Sequence, residues 1–283
     1  MTRLPAVSGL FYNRNKNELI GDITQIFKDT KNYENLEKTM NKRNIKTVLV
    51  PHAGYVYSGK TASYAFKEIC DDGLPEIFII IGPNHTGAGV NLAVTPESKW
   101  KTPLGNVDID REFVEKLKEN NTLVKEDSLA EFNEHSVEVE IPFIQYIAKK
   151  QEKDIKIVPI TMKNQDPITS TILGESIYKT AHSLNRDIII VASSDMTHYQ
   201  PEPIARTNDA KVLKNIENLD VDSMLTNIQN YNISMCGYGP VTAGITFSLL
   251  EDAKIGKILN YATSGDASGD YSSVVGYASM LIK

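Results

Sequence analysis

Residues 76–85 read "EIFIIIGPNH", and this stretch decides the fold. Five consecutive apolar residues, Ile77 to Ile81, show no polar alternation. Such a run suits a strand covered on both faces, the kind found in parallel sheets. Gly82 and Pro83 stop it, and His85 follows at once. The same design recurs on either side. "KTVLV" (46–50) runs into Pro51 and His52, and "DIIIVAS" (187–193) runs into "SDMTH", ending at His198. "IKIVPI" (155–160) and "NLAVTP" (91–96) read as further strands.

Helical patterns separate these runs: 15–31, 60–70, 110–120, 136–150, 166–184, 203–216, 220–229 and 240–254. Leu19, Ile23, Ile26 and Phe27 mark one face of the first. Asp110 and Asp166 stand as N-caps, with Pro167 as a first helical residue. Pro142 predicts a kink within 136–150. Strands alternating with helices imply an α/β fold: a mostly parallel or mixed central sheet with helices on both faces. The last two runs, "KILNYAT" and "SVVGYASMLI", are expected as antiparallel additions at its edge. No linker, repeat or low-complexity segment divides residues 1–283, which read as a single domain.

The 283 residues carry a net charge of −6, which argues against a nucleic-acid or polybasic membrane surface. No apolar run is long enough to span a bilayer, and the first residues lack the apolar core of a secretory signal. Two cysteines, Cys70 and Cys236, cannot build a disulfide framework, so a reduced, cytoplasmic location is expected.

The chemistry converges on histidines. His52, His85 and His198 each follow the carboxyl end of a strong strand, the edge where α/β sheets place their sites. Any one alone reads as a structural histidine; the repetition points to a site. Asp195, three residues before His198, is placed either to orient that imidazole or to cap a helix from Met196. Cys236, in the Gly-rich turn "NISMCGYGPVTAG", reads either as a thiolate lowered by a helix N-terminus or as an inert buried residue. Cys70 fits the inert role, His182 a solvent-facing one, and His135 a capping or ligand-orienting one.

Residues 54–61, "GYVYSGKT", satisfy the phosphate-loop pattern G-x-x-x-x-G-K-[ST]. Pro51, His52 and Ala53 separate it from its strand, and Tyr55, Val56 and Tyr57 suit a tight anion nest poorly. Nucleotide hydrolysis is therefore the minor alternative. Lys60 and Thr61 are expected to open a helix, with Gly54 and Gly59 letting the loop approach a ligand and Tyr55 and Tyr57 lining the pocket.

The segments "VPHAGYVYSGKTA", "IGPNHTG", "WKTPLGNV", "NEHSVEVEIPF", "SSDMTHY", "CGYGPV" and "YATSGD…SSVVGYAS" occur in an order that resembles the Memo family, whose prokaryotic members are termed AmmeMemoRadiSam system protein B. That family is in turn similar to the LigB-type class III extradiol dioxygenases, which hold ferrous iron on two histidines and a glutamate. The resemblance implies a LigB-like fold, with His52 and His85 as metal ligands and Cys236 in the glutamate's place. His198, with Asp195 beside it, takes the place of the acid-base histidine. Fe(II) is the implied cofactor, and copper or zinc also suits a His₂Cys set. The implied function is a metal-dependent redox or oxygenase-type activity on an unassigned small-molecule or peptide ligand. The rivals are a non-catalytic pocket for an anionic peptide or small molecule and a Cys236-dependent hydrolase.

Overall fold

The computed structural model describes residues 1–30, 36 and 43–283; the last residue of the first expected helix, Lys31, lies outside them. In chain order the elements are β1 (Thr2–Arg3), α1 (Lys16–Lys28), β2 (Thr47–Val50), α2 (Tyr55–Asp72), β3 (Ile77–Pro83), β4 (Leu92–Val94), β5 (Lys99–Thr102), β6 (Gly105–Ile109), α3 (Arg111–Asn120) and β7 (Lys125–Glu126). There follow α4 (Ile141–Lys150), β8 (Lys156–Met162), α5 (Pro167–Leu184), β9 (Ile188–Ser193), β10 (His198–Gln200), α6 (Glu202–Glu217), α7 (Val221–Asn230), α8 (Tyr238–Leu250), β11 (Gly256–Thr263), α9 (Gly265–Ser268) and β12 (Val274–Ile282).

The strands form one mixed sheet in the order β1-β5-β6-β8-β3-β9-β2-β12-β10, with β11 also on β12 and β4 on β8. Its centre, β6-β8-β3-β9-β2, is parallel. The continuous apolar runs are the reason: every residue of β2, β3 and β9 is buried, because helices cover both faces. β12 is antiparallel to β2 and to β11, as expected of the terminal strands. Because β9 lies between β3 and β2, the chain leaves three neighbouring strands at one sheet edge, toward His85, Asp195 and His52.

Three local expectations are corrected. α2 begins at Tyr55, not Lys60, with Gly54 as its N-cap. The residues matching the phosphate-loop pattern are thus the first two turns of a helix, and the amides of Tyr57 and Ser58 bond the Gly54 carbonyl instead of curling round an anion. Gly59 serves helix packing: a Cβ there would sit 2.9 Å from Ile26 Cδ1 of α1. Residues 136–150 do not make one kinked helix. A short 3₁₀ turn, Glu138–Glu140, leads into α4, and Pro142 falls in the first turn, where its missing N–H costs nothing. No helix starts at Met196; a loop there runs into β10.

No helix among the described residues is long and apolar enough to cross a membrane.

Candidate metal centre

His52 stands two residues beyond β2 and is 1% exposed. His85 stands two beyond β3 and is exposed. Cys236 arrives from the other direction, just before Gly237, the N-cap of α8. Its loop is held by Gln165, which donates to the Cys236 carbonyl at 2.9 Å and accepts from the Gly239 amide at 2.9 Å. Gly237 is needed because a Cβ there would strike the Ser193 carbonyl oxygen. The result is that one ligand atom from each of His52, His85 and Cys236 lies within 4.8 Å of the other two.

Cys236 Sγ is 3.3 Å from His52 Nε2. Tetrahedral coordination with ordinary metal–nitrogen and metal–sulfur bonds puts such atoms about 3.5 Å apart. The outward nitrogens are anchored as well. His52 Nδ1 meets Ser193 Oγ at 2.7 Å, and His85 Nδ1 meets Glu134 Oε1 at 3.0 Å. Both rings therefore keep Nε2 for a ligand, the arrangement that metal-binding histidines require of their supports. Burial, with the neighbouring charges of His135, His85 and His198, pushes the His52 pKa well down, so the ring is neutral and able to donate.

Glu134, which the sequence reading missed, organises one wall. Its carboxylate accepts from the amides of His85 (2.5 Å), His135 (2.9 Å) and Ser136 (2.9 Å). Burial pushes its pKa up, but the His85 ring bond and charge, the Ser136 amide and the charge of His135 together hold it down at about 2. The "NEH" order was the available signal: an acid beside a histidine at a turn. His135 stacks on His85, with centroids 4.7 Å apart, and packs on Phe11 at 4.6 Å. With His85 and Glu134 it forms a second cluster of ligand-type atoms. It lies in the turn before the 3₁₀ segment, its ring also 5.4 Å from that of His52.

Asp195 lies in the loop after β9 and accepts from the His52 amide at 2.9 Å. Burial pushes its pKa up to about 6. Its expected grip on the His198 ring is replaced by others: His198 Nδ1 bonds the Ser234 carbonyl at 2.9 Å, and its amide donates to Ser234 Oγ at 2.7 Å. His198 belongs to neither cluster of ligand-type atoms among the described residues. Tyr199, next to it, has φ +59°, a strained conformation for a bulky side chain.

Two pocket assignments change. Tyr55 belongs to the core behind the site: it is buried, its hydroxyl donates to the Val139 carbonyl at 2.8 Å, and its ring packs on Phe143. Gly54 acts as the α2 cap, and a Cβ there would make only ordinary contact with Phe11. Tyr57 is exposed, two residues further along α2. The Cys236 thiol is not lowered by its helix. Burial and the charge of Asp195 raise it, outweighing the hydrogen bonds from the Asp195 amide (3.2 Å) and Ser194. Cys70 is fully buried, and its thiol is pushed up to about 12 by burial and Asp71. His182 is solvent-facing, with Nε2 2.6 Å from Glu251.

Residues 3–281 match the family model for Memo-like protein. The chain is 42% identical to a MEMO1 family protein of Pyrococcus horikoshii, over 100% of both chains. It is 43% identical to one of Methanocaldococcus jannaschii, over 99% of both. Among solved structures, an uncharacterized protein of Escherichia coli K12 matches with TM-score 0.54 at 14% identity, covering 84% of this chain and 99% of that one, a likeness of fold.

Proposed function

This chain belongs to the Memo family, and we propose that it holds one divalent metal ion on His52, His85 and Cys236 for redox or oxygenase-type chemistry on a small-molecule or peptide ligand. Fe(II) is the first choice, with copper or zinc as competitors for a His₂Cys set. The observation that carries the reading is the convergence of these three side chains with both histidine Nδ1 atoms already engaged. When bound, the ion would supply Lewis acidity and, as iron or copper, an electron-transfer centre.

The remaining roles fall to the chain's own residues. Asp195 holds the His52 backbone in place through its amide. His198, oriented by Ser234 and outside the ligand cluster, is proposed to move a proton at Nε2. A thiol in the site suits a reducing, cytoplasmic compartment.

Elemental analysis of protein purified without oxygen tests the reading. Close to one ion per chain is expected, with most of it lost in His52→Ala and His85→Ala and kept in His198→Gln. Wild-type stoichiometry in both alanine variants overturns it.

The 3.3 Å approach of Cys236 to His52 Nε2 also supports a second reading, a thiol nucleophile with its base. Burial opposes that pair, since it raises the thiol and lowers the imidazole. Covalent trapping of Cys236 by a substrate-like electrophile would favour this reading. Ligand binding that survives complete metal removal would favour a non-catalytic pocket.

A further inference from the structure

Behind His52 lies a carboxyl group with no assigned task. Glu140 is fully buried, Oε1 is 3.2 Å from Ser193 Oγ, and Oε2 has no hydrogen-bond partner among the described residues. Ser193 is fully buried as well. Three polar atoms surround its hydroxyl: His52 Nδ1 at 2.7 Å, the Ser136 carbonyl at 2.7 Å and Glu140 Oε1 at 3.2 Å.

Counting protons resolves the arrangement. A serine hydroxyl has one hydrogen to give and two lone pairs to fill. The Ser136 carbonyl can only accept, and at 2.7 Å it must take the Ser193 hydrogen. The other two contacts then need hydrogens from the far side. His52 must donate from Nδ1, and a neutral Glu140 would fill the remaining lone pair across the longer 3.2 Å contact. One donation and two acceptances use every site on Ser193. The assignment also leaves the orphan Glu140 Oε2 as the carbonyl oxygen of a neutral acid, far cheaper to bury than half of an unpaired carboxylate. Ser136 is itself fixed, since its hydroxyl donates to the Pro83 carbonyl at 2.7 Å.

We propose that Ser193 and Glu140 are positioning residues: Ser193, its hydrogen held by the Ser136 carbonyl and its second lone pair filled by a neutral Glu140 carboxyl, locks His52 in the Nδ1–H tautomer and leaves its Nε2 lone pair facing Cys236. This deepens the metal-site reading and rests on it for its purpose. Desolvation raises the Glu140 pKa well above the ordinary carboxylate range, in accord with the neutral form. The two histidines then differ in kind. His85 is backed by an ionised carboxylate, Glu134, and His52 by a neutral hydroxyl chain.

The test begins on metal-free protein, so that it stands apart from the metal reading. Infrared difference spectroscopy between wild type and Glu140→Gln is expected to show a protonated carboxylic-acid carbonyl band at neutral pH, absent from the variant. Nitrogen-15 NMR is expected to show His52 with Nδ1 protonated and Nε2 bare in wild type and in Glu140→Gln. That preference is expected to weaken in Ser193→Ala. Zinc competition then reads the consequence: Ser193→Ala should bind about 10–100-fold more weakly, and Glu140→Gln within a few-fold of wild type. A carboxylate in place of the acid band, or an unchanged tautomer in Ser193→Ala, overturns the proposal. Failure of wild type to bind any metal overturns the proposed function, while the tautomer and infrared results still decide the positioning chain.

Discussion

Cys236 Sγ lies 3.3 Å from His52 Nε2, while the Asp195 amide donates to the same sulfur at 3.2 Å. A histidine from the end of β2 and a cysteine from the mouth of α8 thus share one point in space, with the loop after β9 between them. The thiol there is raised by burial and by the negative charge of Asp195.

The raised thiol predicts how Cys236 reacts. In metal-free protein, iodoacetamide labelling at pH 7 should be slow and should climb about tenfold per pH unit, because only the thiolate attacks. Asp195→Asn removes the repelling charge and should speed labelling at pH 8. Bound metal should protect Cys236, and Cys70 should label only on unfolding. A plateau in the Cys236 rate by pH 8, or labelling of both cysteines at one metal-independent rate, would contradict this assignment.

The parallel core and its site edge were legible because β2, β3 and β9 are apolar without interruption and each ends near a histidine or Asp195. What stayed hidden depends on packing across long sequence separations. The aromatic and β-branched start of α2 argued for a loop; burial of Tyr55 against Tyr12 and Phe143 overrides that local preference. Glu134, Glu140 and Ser193 lie inside the segments "NEHSVEVEIPF" and "SSDMTHY", but their spacing assigned them no task, since each acts on a residue at least 49 positions away. Asp195 looked like the partner of His198 by spacing, and only the fold reveals that its carboxylate meets the His52 amide.

Arg3 predicts a link between the amino-terminal strand and the site. Its guanidinium pairs with Glu138 at 2.6 Å, donates to the carbonyls of Glu131 and Glu134, and stacks 4.0 Å over Trp100. Glu138 in turn accepts from the Tyr12 hydroxyl and the Ala6 and Val7 amides. Arg3→Ala leaves a buried carboxylate without its cation, which should cost about 3–5 kcal/mol in denaturant unfolding. Metal affinity should fall too, because the turn carrying Glu134 loses its clamp. A loss below about 1 kcal/mol would show that Glu138 is served by its other donors alone.

Glu131 predicts a pH dependence. Burial raises its pKa to about 7, against the help of the Thr95 hydroxyl and Arg3. Its ordinary value is 4.5, so between 4.5 and 7 the folded chain binds more protons here than the unfolded chain. The contribution of the neutral acid is full below about 4.5 and is lost as pH rises through 7. Glu131→Gln cannot ionise, so its stability relative to wild type should rise across that window and level off above it. The full shift corresponds to about 3 kcal/mol. Unfolding curves for both proteins at several pH values check this, and a constant difference would refute it.

Gly237 predicts how tightly the proposed metal site is framed. A Cβ there would meet the Ser193 carbonyl and come within 2.6 Å of Ser194 Cβ, so no side-chain rotation can make room. Gly237→Ala must push the cysteine loop away from the end of β9, and Cys236 moves with it. The Gly237 amide would also lose its 2.8 Å bond to Ser194 Oγ. Overpacking of this kind costs about 1–3 kcal/mol. Zinc or iron affinity should fall by at least about tenfold, since a small displacement of one ligand disrupts a site whose other two are fixed. Gly21→Ala is the control: it sits on the exposed face of α1 with nothing within 4 Å of an added Cβ. It should stabilise slightly, by about 0.5–1 kcal/mol, and leave metal binding untouched. Equal metal affinity in Gly237→Ala and wild type would mean that the Cys236 loop tolerates the shift, and that the sulfur is not held in place for a metal.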